Sequence, residues 1–120
     1  MSVTRTYFTL NVADMERAIA FYEGVLGPVV RLRGSEWSEL KLGEATVALH
    51  ASGARPRETG LVIEVDDLDA ACEAVVRSGG SIANPPQPLP DGTRMADVID
   101  TEGNGFALAS PVETSNVTTF

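Results

Sequence analysis

From Val3 to Val12 apolar and polar residues alternate, so that Phe8, Leu10 and Val12 fall on one face of an extended segment and Tyr7, Thr9 and Asn11 on the other. The period then changes. Met15, Ala18, Ile19, Tyr22, Val25 and Leu26 recur at helical spacing behind Asp14, whose carboxylate suits a helix N-cap, and Gly27-Pro28 ends the run. Three further strands are predicted over Val29–Arg33, Glu36–Leu42 and Ala45–Ala51, with turns at Gly34 and Gly43-Glu44. Arg55–Thr59 reads as a linker. Leu61–Val65 predicts another strand, Asp67 a second N-cap, and Leu68, Ala71, Cys72, Val75 and Val76 the apolar stripe of a second helix that stops at Gly79-Gly80.

The order of elements has therefore restarted. A shift of 53 positions superposes Val12, Asp14, Ala18 and Gly27 on Val65, Asp67, Ala71 and Gly80, the self-similarity of a duplicated unit, and it places Tyr7 on Gly60. One α+β domain of two modules follows, the first over about residues 1–54 and the second over about 55–112, with a polar, threonine-rich tail at 113–120 expected to fray. Asn84-Pro85-Pro86-Gln87-Pro88-Leu89-Pro90 lacks the N–H donors of a central strand and is expected as an edge or a loop.

Composition narrows the partners. A chain of 120 residues with 43% hydrophobic content supports one buried core. A formal net charge of −8 argues against nucleic acid, which needs a concentrated basic face. No apolar run approaches a membrane span and no basic-then-apolar leader opens the chain, so no membrane partner is expected and the location is read as cytoplasmic. The single cysteine, Cys72, fits a reducing compartment and reads as a small core residue.

The run Leu10-Asn11-Val12-Ala13-Asp14 leading into Ala18-Ile19-Ala20-Phe21-Tyr22 and Leu26-Gly27, its weaker echo at Ile63-Glu64-Val65-Asp66-Asp67, and the spacing of Pro90, Gly92, Arg94, Asp100, Gly103 and Asn104 carry a family resemblance. The chain resembles the glyoxalase, bleomycin-resistance and extradiol-dioxygenase superfamily, also called the vicinal oxygen chelate superfamily. Two departures stand out, Asp91 where many members carry tryptophan and Thr101 where they carry proline. The resemblance implies two βαβββ modules forming a curved mixed sheet around a cavity, and pairing as a homodimer in which modules of two chains complete each cavity. It also implies a divalent metal held by four side chains on paired strands. Those positions fall on Tyr7, Ala48, Gly60 and Ala107, of which only the tyrosine can donate to a metal. No metal and no cofactor are therefore expected.

Alternation then sorts the candidate ligand contacts onto the concave face. They are Tyr7, Thr9, Asn11, Trp37, Glu39, Ala48 and His50 in the first module, and Gly60, Glu64, Asp97 and Ala107 in the second. Trp37 and Tyr7 offer a surface for a flat aromatic or cationic ligand, although a strand tryptophan also serves as core or interface packing. Glu39 and Glu64 read either as buried acceptors for a ligand's amines or as charges at a sheet rim. His50, Glu39 and Tyr7 are the candidates for acid–base work, His50 because its ordinary pKa lies near neutrality. The leading expectation is a metal-free protein that sequesters or carries a small organic ligand. The alternatives are a glyoxalase-like lyase, epimerase or dioxygenase, and a metal-independent enzyme using Tyr7, Glu39 or His50.

Overall fold

The computed structural model describes residues 1–111. Its elements are β1 (Phe8–Asn11), α1 (Met15–Leu26), β2 (Val30–Leu32), β3 (Trp37–Leu42), β4 (Ala45–His50), β5 (Glu58–Glu64), α2 (Leu68–Arg77), β6 (Ser81–Pro88), β7 (Arg94–Ile99) and β8 (Gly105–Ala109). The βαβββ order thus occurs twice. Each module builds its own four-stranded mixed sheet, in the orders β1-β4-β3-β2 and β5-β8-β7-β6. In both, the strand before the helix pairs parallel with the last strand, while the other pairings are antiparallel. The tail expected from Glu113 lies outside the described residues.

Both helices start where a carboxylate can satisfy a free amide. Asp14 accepts from the Arg17 N–H and Asp67 from the Ala70 N–H, each at 3.0 Å. The buried stripes differ from the expected ones in both helices, and Val25 and Leu26 at the end of α1 are only partly buried. Phe21 joins Met15, Ala18, Ile19 and Tyr22, because α1 also reaches the second module, where the Phe21 ring meets that of Phe106. In α2 Ala74 is buried while Val76 is 58% exposed, since the helix turns that flank to solvent. A β-carbon on Gly24 would collide with the Ser78 hydroxyl, so the glycine lets α1 approach the end of α2. Among the described residues no helix is long and apolar enough to cross a membrane.

The strands correct the expected boundaries. β1 covers only Phe8–Asn11 of the expected Val3–Val12, because the ladder runs only where β4 lies alongside, from Phe8 beside Val47 to Asn11 beside His50. Alternation marks a face without supplying a partner. β5 takes Glu58 and Thr59 from the expected linker. The proline-rich segment is the edge strand β6, whose register slips on either side of Asn84, and an edge tolerates missing N–H donors.

Leu10, Leu40, Val47 and Leu49 of the first sheet and Ala96, Val98, Phe106 and Leu108 of the second share one core with the helices. A polar turn, Asp100–Asn104, joins the modules beside it. The Tyr22 hydroxyl donates to Asp100 at 2.5 Å, and the same carboxylate accepts from the Glu102 and Asn104 N–H groups at 2.8 and 2.9 Å. Burial and the neighbouring Asp100 charge raise the Tyr22 pKa well above its ordinary value, which keeps the phenol a donor. Asn104 donates to the Asn11 carbonyl at 2.8 Å and accepts from the Arg57 N–H. Glu102 holds the entry to α1 from the other module, accepting from the Ala13 and Asp14 N–H groups and from Arg17. Thr101, at the position of the family's proline, donates to Glu102. Burial pushes the Glu102 carboxyl up, yet the hydrogen bonds from Arg17, the Asp14 amide, Thr101 and the Ala13 amide outweigh it and bring it to about 2.

Tyr22→Phe should cost about 1–3 kcal/mol in urea unfolding, because it removes a donor from a buried carboxylate. The depressed Glu102 pKa means its contribution is present above the ordinary glutamate value and lost as pH falls toward about 2. Glu102→Gln should therefore lower stability at neutral pH and flatten the acid limb of the stability profile, measured as denaturation midpoints across that window.

Candidate functional site

Each sheet has one face against the helices and one turned away from them. In the first sheet the register places Trp37 beside His50 and Glu39 beside Ala48 on β3 and β4, and Thr9 beside Ala48 and Asn11 beside His50 on β1 and β4. These residues, with Tyr7 two positions before Thr9, occupy the open face, because the alternating Leu10, Leu40, Val47 and Leu49 belong to the core.

A row of rings forms on this face. Tyr7 and Trp37 meet edge to face with centroids 5.9 Å apart, and Trp37 and His50 lie at 5.4 Å. Glu39 sits beneath the row and is 4% exposed. The Trp37 indole N–H donates to it at 3.0 Å, Arg5 approaches at 2.8 Å and Arg31 at 2.7 Å, so both carboxylate oxygens are engaged. The Arg5 guanidinium also lies over the Tyr7 ring, 4.5 Å from its centroid. Hydrogen bonds from Trp37 and then Arg5 hold the Glu39 carboxyl below its ordinary range. Glu39 is thus neither a free acceptor for a ligand's amine nor a free base, since its charge is already matched.

Other candidates stand apart from this cluster. Asn11 is tied to the loop after β4, donating to the Arg55 carbonyl and accepting from Ser52. Gly60 lies in a bulge of β5, where Thr59, Gly60 and Leu61 span the distance that Phe106 covers on β8. Its φ is 72°, which strains any side chain with a β-carbon. Hence the shift that aligns Gly60 with Tyr7 does not carry a regular strand position with it. Glu64 and Asp97 are exposed on the second sheet's open face, Asp97 accepting from Asn84, and Ala107 is buried there. Among the described residues no hydrogen bond or ion pair links these to Tyr7, Trp37, Glu39 or His50.

Sequence reasoning passed over Arg5, Arg31 and Glu58. The alternation that selects Tyr7, Thr9 and Asn11, extended back two residues, is the signal that could have found Arg5. Arg31 reaches the face through the irregular pairing of β2 with β3, which no spacing reveals. Glu58 covers Gly105, where a β-carbon would collide with its carboxylate. Asp91, at the family's tryptophan position, accepts from the Thr93 N–H and hydroxyl and shapes a turn.

A hollow of about 720 Å³ lies elsewhere, between Val25, Leu26 and Leu42 of the first module and Ile63, Ala70 and Ala74 of the second. The turn from β3 to β4 is only Gly43-Glu44, too short to grip α2 as Asp100–Asn104 grips α1. Of the sequence-predicted contacts only Glu64 borders it. Among the described residues its lining includes Lys41, Glu64, Asp66, Asp67 and Arg77 but no aromatic side chain, whereas the face around Trp37 joins rings to charged groups.

The sequence model of the Glyoxalase/Bleomycin resistance protein/Dioxygenase superfamily matches residues 4–108, and the chain belongs to this superfamily. It is 36% identical over 112 residues to a lactoylglutathione lyase of Haemophilus influenzae, covering 78% of this chain and 82% of that one. Among solved structures, a glyoxalase-related enzyme from Fulvimarina pelagi superposes with a TM-score of 0.76 at 21% identity, covering 98% of this chain and 99% of that one. A superfamily member from Sphaerobacter thermophilus gives 0.75 at 25% identity, covering 92% and 99%. The donor set for the superfamily's metal does not fit. Ala48 and Ala107 carry no donor, Gly60 carries no side chain, and no group of three or more His, Cys, Asp or Glu converges anywhere among the described residues.

Because Trp37 is the chain's one tryptophan, its fluorescence reports Glu39 directly. The lowered Glu39 pKa keeps the indole bond as pH falls through the ordinary glutamate range. Trp37 emission should hold steady through that range and shift only below it, and Glu39→Gln should abolish the acid shift.

Proposed function

We propose that this protein is a metal-free binding protein, which sequesters or carries a small organic ligand laid against Tyr7, Trp37 and His50. One observation carries the reading. The open face keeps an ordered aromatic row over a satisfied, buried carboxylate, while three of the four positions that would hold a metal carry no donor. Such a face recognises shape and charge without offering an open coordination position. The lyase activity named for the Haemophilus relative is not extended to this chain, for the same reason. Glu39 is not proposed as the base, because hydrogen bonds from Trp37 and Arg5 hold its carboxyl below its ordinary range and so weaken its pull on a proton.

The functional unit proposed is a homodimer. The first module's open face is positive, with Arg5, Arg31 and Lys41 against Glu39, and the second module's is negative, with Glu58, Glu64 and Asp97. Complementary charge favours setting the first face of one copy against the second face of another, with two-fold closure.

Elemental analysis after gentle purification should find only substoichiometric zinc, nickel, iron and manganese. One tightly held ion per chain, lost in Tyr7→Phe, would sink the metal-free reading. A planar ligand should quench Trp37, and Trp37→Ala should weaken its binding about two- to tenfold, the worth of one aromatic contact. Turnover that vanishes in His50→Ala while folding survives would replace binding with catalysis.

A further inference from the structure

Resting on that reading of the Trp37 face, we propose that the ligand is a planar aromatic anion. Its single carboxylate or equivalent anionic group is held by Arg5 and Arg31, and its ring lies along Tyr7, Trp37 and His50. The two guanidiniums flank one carboxylate, so one positive charge of the cluster is unmatched. Each makes only part of its possible contacts with Glu39, and a guanidinium carries more N–H donors than one such contact consumes. Their side chains are 42% and 52% exposed, so the remaining donors are open to solvent on the face that bears the rings.

Glu39 orients the pair. A buried carboxylate that binds both guanidiniums and the indole N–H fixes the distance between charge and aromatic surface before any ligand arrives, which reduces the ordering cost of binding. Planar guanidiniums beside a ring match a carboxylate attached to an aromatic system, because the carboxylate accepts in the plane while the ring stacks. Lys41 lies further along the same face and adds to its positive potential. A cation would meet Arg5 and Arg31 first, since Glu39 lies behind them.

The test is calorimetric titration with three probes sharing one ring, 1-naphthoate, 1-naphthalenemethanol and 1-naphthylmethylammonium, with Trp37 quenching read in parallel. The naphthoate should bind about tenfold more tightly than the alcohol at low salt, the ammonium most weakly, and the naphthoate advantage should shrink as salt screens it. Arg31→Gln should remove most of that advantage and Arg31→Lys should retain part of it. Arg5→Gln, outside the strands, repeats the test where the fold is least exposed to damage. Equal binding of naphthoate and alcohol, or preference for the ammonium, would overturn the anion assignment and leave the binding reading standing. If no probe binds at Trp37, both fall.

Discussion

The fold depends on satisfying the carboxylates of one turn. Asp100 and Glu102 are almost wholly buried where α1 meets the second module, and each would be costly there without partners. Instead the turn's own amides, the Tyr22 phenol, Arg17 and the amides of Ala13 and Asp14 just before α1 surround them. Charge at a helix N-terminus is favourable because the free amides and the helix dipole both point positive there. The entry to a helix of one module is therefore held by a carboxylate of the other, and two sheets that pair no strands with each other among the described residues hold a defined relation. The opposite junction has only Gly43-Glu44 to offer, and a hollow remains where the grip is missing.

The same principle governs the open face. Glu39 would be expensive under the aromatic row if left alone, and Arg5, Arg31 and the Trp37 indole share that cost. Satisfying it changes the chemistry the face presents, since the buried charge is negative while the groups exposed around it are positive. The electrostatic sign of a site is set by which member of an ion pair lies outermost. At the positions the resemblance assigns to the superfamily's metal ligands the chain has two alanines and a bulged glycine besides Tyr7, and what its open face presents is rings and guanidiniums.

The repeat of Val12, Asp14, Ala18 and Gly27 at Val65, Asp67, Ala71 and Gly80 was enough to read two βαβββ modules, because helix caps and strand alternation are local properties of the chain. For the same reason the N-caps Asp14 and Asp67 and the edge placement of the proline segment were legible. Tyr7, Trp37 and His50 could be assigned to one face by counting along strands. Counting failed at Gly60, where a bulge breaks the period, and at Phe21, whose burial comes from the other module. The sequence by itself determined the order of the elements and their duplication. Only the tertiary structure decided that Arg5 and Arg31 pair with Glu39 and that Glu102 binds Arg17, 85 residues upstream, because those pairings join segments whose proximity exists only once the sheets and helices have packed.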